Sequence, residues 1–418
     1  MDDYDNIFLH VYAPTIVEYT KWVLRSAIDQ GIERLYFLAR DSWLPYNAAC
    51  HINEALQLGL DIRYIYVSRY TLRNAQYAFI GEAALETICV GGIDITFRKM
   101  MCRANLTDDE ILAVAKDICF FDRVDECLSF AQVLEIKKKL YQTDRVFEYI
   151  SRHSKEYYDN TRDYFIQEGL LEDVRYAIVD SGWLGTTQKS MQQIISHIRG
   201  TTSELLGFYF GLYDIPAGAN PDSYFSYYLK PKADFSRKVH FSICLYETVI
   251  SAPVGMTLGY ERLDEKMVPK PNLLGNPNAD KMQRNLMLLT SYLENMIISE
   301  SFFGRDESLI IEKLLKLSMG RPTAVESKVM GQLQFCDDVL ESGLQQVARR
   351  WSKRELLKQS FFLKILFKFF NSKVKLHESG WPEGSIVNLC GEGVEGKVAL
   401  INERGYKWGM YLRKSIGA

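Results

Sequence analysis

The chain has 418 residues, of which 47% are hydrophobic, 25% charged and 13% aromatic, and its formal net charge is −3. This balance is typical of a globular protein with a large buried core, and it excludes collagen, coiled coil and disorder as overall classes. Because a nucleic-acid-binding chain usually carries a net basic field, the charge also argues against nucleic acid as a partner.

Neither the cysteines nor the first residues suggest export. The eight cysteines show no CxxC or CxxH spacing, which predicts reduced thiols in a cytoplasm rather than a zinc site or a disulfide framework. The opening MDDYDNIFLH is acidic where a signal peptide would be basic, and no apolar run approaches the roughly 18 residues that span a bilayer. We therefore expect a cytoplasmic protein that neither is secreted nor crosses a membrane.

The first elements in chain order predict a parallel crossover unit. Apolar residues recur at helical spacing over 15–30, which predicts a first helix. The apolar run Leu35–Leu38 is followed by ARDSWLPYNAA, where Pro45 suits the first turn of a new helix. A second apolar run, Ile62–Val67, follows that helix. Strand, helix and strand in this order indicate a parallel pair with a helical crossover.

A second unit of the same kind follows after residue 175. Tyr176–Val179 is apolar, DSGWLGT is punctuated by glycines, Thr187–Ile198 has helical periodicity, and Leu205–Leu212 is apolar again. Two such units predict an α/β fold with a mostly parallel sheet and flanking helices. Residues 77–168, between the two units, have charged helical faces and predict a helical insertion.

The remaining chain completes the predicted organisation. We expect residues 1–275 to form one α/β unit with its helical insertion and, near its end, an aromatic, loop-rich stretch at 213–240. Residues 276–375 are predicted to be mainly helical. Residues 376–418 alternate glycines with short β-prone runs, which predicts a small β-meander.

Polar residues follow each predicted strand. Ligands of open parallel sheets bind beyond the carboxyl ends of the strands. Arg40 and Asp41 follow the first strand, Ser68 and Arg69 follow the second, and Asp180 follows the third. Asp180 opens the turn DSGWLGTTQ, whose other candidate substrate-binding residues are Ser181, Gly182, Trp183, Gly185, Thr186, Thr187 and Gln188. These groups are expected to meet at one edge of the sheet.

The residue types at this edge suit a sugar phosphate. Glycines let backbone approach a ligand closely, and threonine hydroxyls with the N–H groups of a following helix can hold a phosphate. The guanidinium groups of Arg40 and Arg69 match phosphate or pyrophosphate oxygens. Asp180 could accept hydrogen bonds from sugar hydroxyls. Asp41 is a candidate Mg²⁺-associated carboxylate or general base.

A structural interpretation of the same residues stays open at this point. An aspartate at a strand-to-helix turn is often only a helix cap, and its glycines often serve tight packing alone. An adjacent arginine and aspartate often form only a salt bridge. Three polar strand ends in one sheet are what favours a ligand site.

Three segments carry a resemblance to a known family. YFLARDSWLPYNAA, IRYIYVSRYTL and YAIVDSGWLGTTQKSM resemble the glycan phosphoribosyltransferase domain of the bacterial dual-domain ribofuranosyltransferases, whose other domain is a haloacid-dehalogenase-type phosphatase. The resemblance runs from about Asn6 to about Pro271, and more weakly through WPEGSI near Trp381. It implies that residues 1–275 are a phosphoribosyltransferase-like catalytic domain. It also implies that Arg40, Asp41, Arg69 and the turn 180–188 form the donor site.

The resemblance also implies an activity. Members of that family move a 5-phosphoribosyl group from phosphoribosyl pyrophosphate to a hydroxyl of a glycan, in the biosynthesis of surface polysaccharides such as O-antigen and capsule. Mg²⁺ and arginines would stabilise the departing pyrophosphate, with Asp41 or Glu247 as the base that accepts the acceptor's proton. Glu247 lies in CLYETVISAPVG, and a capping or surface role for it remains an alternative.

One departure from the family bears on the expected partners, and two competing hypotheses stay open. No aspartate-rich phosphatase motif follows a strand, so we expect a separate phosphatase to act in trans. The acceptor is expected to be a lipid-linked glycan. A haloacid-dehalogenase-like phosphatase with Asp41 as nucleophile is one alternative, although the second aspartate expected two residues later is missing. A non-catalytic scaffold of a polysaccharide-assembly complex is the other.

The segment 349–375 is strongly basic and apolar. It holds nine lysines and arginines against Glu355 alone, and these surround FFLKILFKFF. This pattern is typical of an amphipathic helix at an anionic membrane surface, here the inner face of the cell membrane. The alternative is a solvated basic face whose aromatic side chains pack into the protein.

Overall fold

The structure is a computed structural model that describes residues 1–91, 95–336, 343–361, 363–364 and 378–415. Its centre is a sheet of five parallel strands in the order β2-β1-β3-β4-β5. The strands are β1 Arg34–Leu38, β2 Asp61–Ile65, β3 Tyr176–Trp183, β4 Leu206–Leu212 and β5 Tyr224–Leu229. An α/β fold with a parallel sheet and flanking helices is thereby confirmed.

Helices flank this sheet, and they occupy each interval between consecutive strands except the one from β4 to β5, which holds a 3-10 turn at Pro221–Ser223. Those that precede β3 are α1 Asp3–Ile7, α2 Ala13–Asp29, α3 Trp43–Leu56, α4 Arg69–Ile80, α5 Leu85–Ile88, α6 Phe97–Cys102, α7 Asp108–Asp117, α8 Phe130–Leu140 and α9 Asp144–Gln167, with a π-helix at Phe8–Tyr12. Those from β3 to residue 336 are α10 Thr186–Arg199, α11 Phe235–His240, α12 Ile243–Ile250, α13 Ala279–Glu294, α14 Glu300–Gly304, α15 Ser308–Ser318 and α16 Ala324–Met330.

The last described residues and the small sheets complete the list. The final helices are α17 Lys353–Lys358, α18 Pro382–Cys390 and α19 Val394–Ser415. Two antiparallel hairpins stand apart from the main sheet, β6 Thr257–Leu263 with β7 Lys266–Pro271, and β8 Gln334–Cys336 with β9 Leu344–Gln346. None of the helices in the described ranges combines the length and the apolar character that crossing a bilayer requires.

The sheet is buried on both faces, as its apolar strands predict. Successive side chains of a strand point to opposite faces. Leu35 and Phe37 therefore pack in the core formed with α2 and α3, whereas Tyr36 and Leu38 pack in the core formed with α9 and α10. This alternation explains why β1 reads as a continuous apolar run.

Residues 77–168 are mainly helical, as their charged-face periodicity predicts. The helices α5 to α8 and the first half of α9 enclose a hydrophobic cluster of their own, which includes Phe97, Met100, Ile111 and Ile136. The cluster is separate from the two cores that cover the sheet. The long helix α9 joins this region to the sheet through Tyr164 and Phe165.

Two of the expected elements are corrected by the structure. The stretch 213–240 is not only loop, because it contains the edge strand β5 and the helix α11. The prediction of a β-meander over 376–418 is wrong for residues 378–415, which form α18 and α19. Glycines that resemble turn signals serve close packing in this helical pair, since a Cβ at Gly396 would lie 2.0 Å from the carbonyl oxygen of Gly391.

The basic segment 349–375 is described only in part. Residues 349–361 and 363–364 contain α17, and residues 362 and 365–375 lie outside the described residues. Two described side chains point inward: Trp351 packs against Ile386 and Val387, and Lys364 forms a buried ion pair of 3.0 Å with Glu403. The described part thus anchors to the protein, and the membrane hypothesis stays a prediction for the rest.

Candidate functional site

The strand order places a crevice at the centre of the sheet edge. The chain leaves β1 toward β2 on one side and continues through β3 to β5 on the other. In such doubly wound sheets, ligands bind where the strand order reverses, beyond the carboxyl ends. Here that point lies between the carboxyl ends of β1 and β3. The residues that follow β1 and those that end β3 therefore meet there.

A cleft of about 500 Å³ opens at this point, and we call it the edge cleft. Most of the residues singled out from the sequence line it, namely Arg40, Asp41, Ser68, Arg69, Asp180, Gly182, Trp183, Thr186, Thr187 and Glu247. The cleft joins residues from three strand ends and from α12, more than 200 positions apart in the chain. It brings together the expected site residues with three exceptions.

Those exceptions are Ser181, Gly185 and Gln188. Ser181 is buried just behind the cleft, where its hydroxyl reaches Asp41. Gly185 caps α10 with a left-handed backbone, φ +61°. Gln188 is fully buried, and its amide donates to the carbonyl oxygens of Leu205 and Ser223 at 2.6 and 3.0 Å. A substrate-binding role for Gln188 does not fit these contacts.

Three carboxylates form the polar centre of the edge cleft. The backbone N–H of Ser181 donates to Asp180 Oδ1 at 2.9 Å, and its hydroxyl donates to Asp41 Oδ2 at 3.3 Å. The indole N–H of Trp183 donates to Glu247 Oε1 at 2.6 Å. One short stretch of β3 thus orients all three acids, which explains why its residues are polar inside an otherwise apolar strand.

Crowding in this half-buried place raises the pKa of each acid. Burial is the largest cause for all three, and the negative charge of Asp41 adds to it at the other two. The pKa rises to about 7 for Asp180 and to about 8 for Glu247. The cluster therefore retains protons at neutral pH, and it can release them when a cation arrives.

Arg69 supplies positive charge to the whole cluster. It is the first residue of α4, is exposed at the cleft, and opposes the pKa rise of all three acids. Arg40 acts in the same way on Asp41. The preceding Ser68 has a structural task, since its hydroxyl caps α4 through the N–H of Thr71 and donates to the carbonyl oxygen of Thr257 at 2.6 Å.

The opposite wall of the edge cleft is suited to a phosphate group. The helix α10 begins at Thr186, after Gly185, and no side chain caps its first turn. Uncapped N–H groups at a helix start attract anions, and the hydroxyls of Thr186 and Thr187 lie beside them. At Gly182 a Cβ would lie 1.9 Å from the carbonyl oxygen of Gly211, so only glycine permits this approach of β3 to β4.

Several lining residues escape prediction from the sequence. Ser251, which directly follows α12, also bonds to Asp41, although it does not line the edge cleft. Its position four residues after Glu247, about one helical turn, is a signal that could have identified it. Met410 and Tyr411 reach the edge cleft from α19. No local signal pointed to them, since their segment resembles a meander.

The acids could hold Mg²⁺ only with help from a ligand. Across the described ranges, no three His, Cys, Asp or Glu side chains gather closely enough to bind a metal ion by themselves. Mg²⁺ is usually bound by one or two carboxylates together with waters and substrate phosphates. Asp41 and Asp180 at the edge cleft fit that requirement.

Comparisons with known proteins do not identify a family or a function for the chain. No protein-family model matches the chain, and no curated protein matches it with significant similarity.

Proposed function

We propose that the protein transfers a 5-phosphoribosyl group from phosphoribosyl pyrophosphate to a hydroxyl of a glycan. The observation that carries the proposal is the edge cleft, where three acids and two arginines lie beside the uncapped start of α10. A polyphosphorylated sugar needs both cationic and helix N-terminal contacts, as well as acceptors for its hydroxyls. The three motifs that resemble the ribofuranosyltransferase family contribute most of these residues.

The reaction would be a substitution at the anomeric carbon. The acceptor's oxygen forms a bond to C1 of the ribose, and the bond from C1 to the pyrophosphate oxygen breaks with its electron pair on the pyrophosphate. The acceptor's proton passes to a carboxylate, for which Asp41 and Glu247 are the candidates. A carboxylate whose pKa lies near the working pH suits proton transfer, and Glu247 with a pKa of about 8 meets this condition.

Arginines and Mg²⁺ would supply the positive charge for the leaving group. Arg40 and Arg69 offer guanidinium groups at the edge cleft, and Asp41 and Asp180 are the residues that would hold the metal. When bound, Mg²⁺ would neutralise charge that develops on the pyrophosphate. Its arrival would also favour ionised acids, because an adjacent cation lowers a carboxylate's pKa.

Calorimetric titration of phosphoribosyl pyrophosphate with Mg²⁺ tests the donor site. We expect the wild type to bind and Asp180→Ala to bind at least about tenfold more weakly, which corresponds to about 1.4 kcal/mol. Asp173→Ala, at an exposed position before β3, is the matched control and should bind like the wild type. Unchanged binding by Asp180→Ala, or no binding by folded wild type, would overturn the donor assignment.

A phosphatase is the competing enzyme, and turnover separates the two. Asp41 follows a central strand, where a nucleophilic aspartate could also lie. A phosphatase of this type releases inorganic phosphate from simple esters such as p-nitrophenyl phosphate, whereas the transferase should not. Release that depends on Asp41 would favour the phosphatase. Absence of both turnover and donor binding would favour the scaffold hypothesis.

The remaining parts of the proposal concern the protein's surroundings. A separate phosphatase would remove the 5-phosphate from the product, and the acceptor glycan would be carried by a lipid. The segment 349–375 would then keep the enzyme at the cytoplasmic face of the cell membrane. Flotation with anionic liposomes tests this point: we expect the protein to rise with them, and failure to do so would refute the membrane role.

A further inference from the structure

A second cleft meets the edge cleft at the acids. It has a volume of about 380 Å³ and shares Arg40, Asp41, Arg69, Cys244 and Glu247 with the edge cleft. Asp180 and the start of α10 line only the edge cleft. The two compartments therefore approach the same carboxylates from different sides. Two substrates could occupy them at the same time.

The walls of the second cleft are held by side-chain amides. Asn278 donates to the carbonyl oxygen of Gln334 at 2.6 Å and accepts from the N–H of Gln334 at 3.0 Å. Asn276 donates to the carbonyl oxygen of Ala252 at 2.7 Å. These bonds fix the loop before α13 against β8 and against the end of α12. The wall of the second cleft that contains Asn276 and Asn278 is thus held in place by side-chain hydrogen bonds.

Its lining has a chemistry different from that of the edge cleft. Apart from the four shared charged residues, every described lining residue is uncharged. Phe335 provides an aromatic ring, and Leu274 and Leu344 add apolar surface at 71% and 53% exposure. Gly380 packs against this ring, since a Cβ there would lie 2.7 Å from Phe335. The compartment offers an apolar platform opposite hydrogen-bond acceptors.

We propose that the second cleft binds the acceptor as a neutral sugar ring, which rests on the proposed transferase function. The C–H face of the sugar packs on the aromatic ring of Phe335, and a hydroxyl of the sugar points toward Asp41 and Glu247. A neutral ligand fits, because the pyrophosphate would engage the two shared arginines, the two shared acids would face the acceptor's hydroxyl, and every other described lining residue is uncharged. The acceptor oxygen then forms a bond to C1 of the donor ribose from the second cleft, and the bond from C1 to the pyrophosphate oxygen breaks with its electron pair on the pyrophosphate. Glu247 or Asp41 receives the acceptor's proton.

Saturation-transfer NMR on the intact protein tests the proposal with defined probes. The probes are the methyl glycosides of glucose, galactose, N-acetylglucosamine and rhamnose, each measured with and without phosphoribosyl pyrophosphate and Mg²⁺. We expect at least one probe to receive saturation through its ring protons in both conditions. Phe335→Ala should weaken its binding about tenfold, because the ring face loses its apolar partner.

The controls separate this proposal from the donor assignment. Phe130→Ala removes a ring that is 68% exposed in the helical insertion, and it should leave the signal unchanged. Leu344→Ala changes the second cleft at an exposed position, so it keeps the proposal testable if Phe335→Ala does not fold. Displacement of the probe by the donor, or no probe bound in either condition, would overturn the acceptor site. Calorimetry on the same samples reports donor binding independently.

Discussion

The fold places Glu247 in an environment far from that of an exposed acid. The Trp183 indole donates to it at 2.6 Å across 64 positions of the chain, while burial and Asp41 raise its pKa to about 8. Such a residue is costly for stability when ionised, and groups of this kind cluster at functional sites. Two predictions at the scale of single residues follow from this environment.

The first concerns turnover. Glu247→Gln keeps the shape and the bond from Trp183 but cannot accept a proton. If Glu247 is the base, we expect turnover of phosphoribosyl pyrophosphate with the acceptor to fall by about 10²–10⁴-fold. Donor binding, measured by calorimetry, should persist. Glu265→Gln, at an exposed position between β6 and β7, serves as the control. Unchanged turnover in Glu247→Gln would assign the base to Asp41.

The second concerns pH and stability. In the unfolded chain these acids titrate near pH 4, whereas the pKa values in the fold are about 7 for Asp180 and about 8 for Glu247. Between these limits the folded state binds more protons than the unfolded state, so the free energy of unfolding falls as pH rises from about 4 to 8. We expect the melting temperature of the wild type to fall over this range. The melting temperature of Glu247→Gln should fall less, because glutamine does not titrate. If the melting temperatures of the wild type and of Glu247→Gln fell equally with pH, the prediction would be contradicted.

At the scale of elements, β3 and α10 divide the turn DSGWLGTTQ into two tasks. Its first four residues are the end of β3 and orient the acids, and its last three begin α10. Thr186 and Thr187 face the edge cleft, but Gln188 points into the sheet, where its side-chain oxygen also accepts from the hydroxyl of Tyr209 at 2.7 Å. The helical turn, rather than proximity in sequence, separates ligand contacts from core contacts.

Gln188→Ala should therefore act on stability. It leaves the carbonyl oxygens of Leu205 and Ser223 and the Tyr209 hydroxyl without their partner inside the core. We expect the free energy of unfolding to fall by about 3 kcal/mol in chemical denaturation. Gln192→Ala, on the same helix but half-buried, should change it by less than about 1 kcal/mol. A stable Gln188→Ala that loses donor binding would restore a substrate-binding role.

At the scale of the whole molecule, α19 closes one side of the edge cleft. Lys407 of α19 forms a buried ion pair with Glu383 of α18 at 2.6 Å, and Lys364 pairs with Glu403 of α19 at 3.0 Å. These pairs anchor the helix whose Met410 and Tyr411 line the edge cleft. The edge cleft thus depends on residues that are far from the sheet in the chain.

Removing one partner of this network should loosen the closing helix. We expect Lys407→Ala to lower the free energy of unfolding by about 3–5 kcal/mol, because Glu383 stays buried without its cation. Hydrogen exchange should rise across residues 394–415. Replacing both partners, Glu383→Leu with Lys407→Met, should cost little by comparison. Lys353→Ala breaks an exposed pair with Glu395 and should change stability by less than about 1 kcal/mol.

The sequence by itself determined the features that depend on local pattern. Apolar runs located β1 to β4, and the polar residues directly after three of them identified most of the edge cleft, because carboxyl ends of parallel strands share one edge. The charged faces of residues 77–168 likewise predicted the helical insertion. These features follow from periodicities over fewer than about 15 residues.

Only the tertiary structure decided what joins these local features. The position of β1 between β2 and β3, the arrival of Glu247 beside Trp183, and the closure by α19 all depend on contacts between distant residues. Gly391 does end α18, with φ +68°, but Gly396 lies inside α19, because burial of Trp381, Ile386 and Leu400 favours helices on both sides of this turn. Long-range packing outweighs local propensity there. The free energy gained by burying apolar surface between the helices is larger than the free energy that a glycine costs inside a helix.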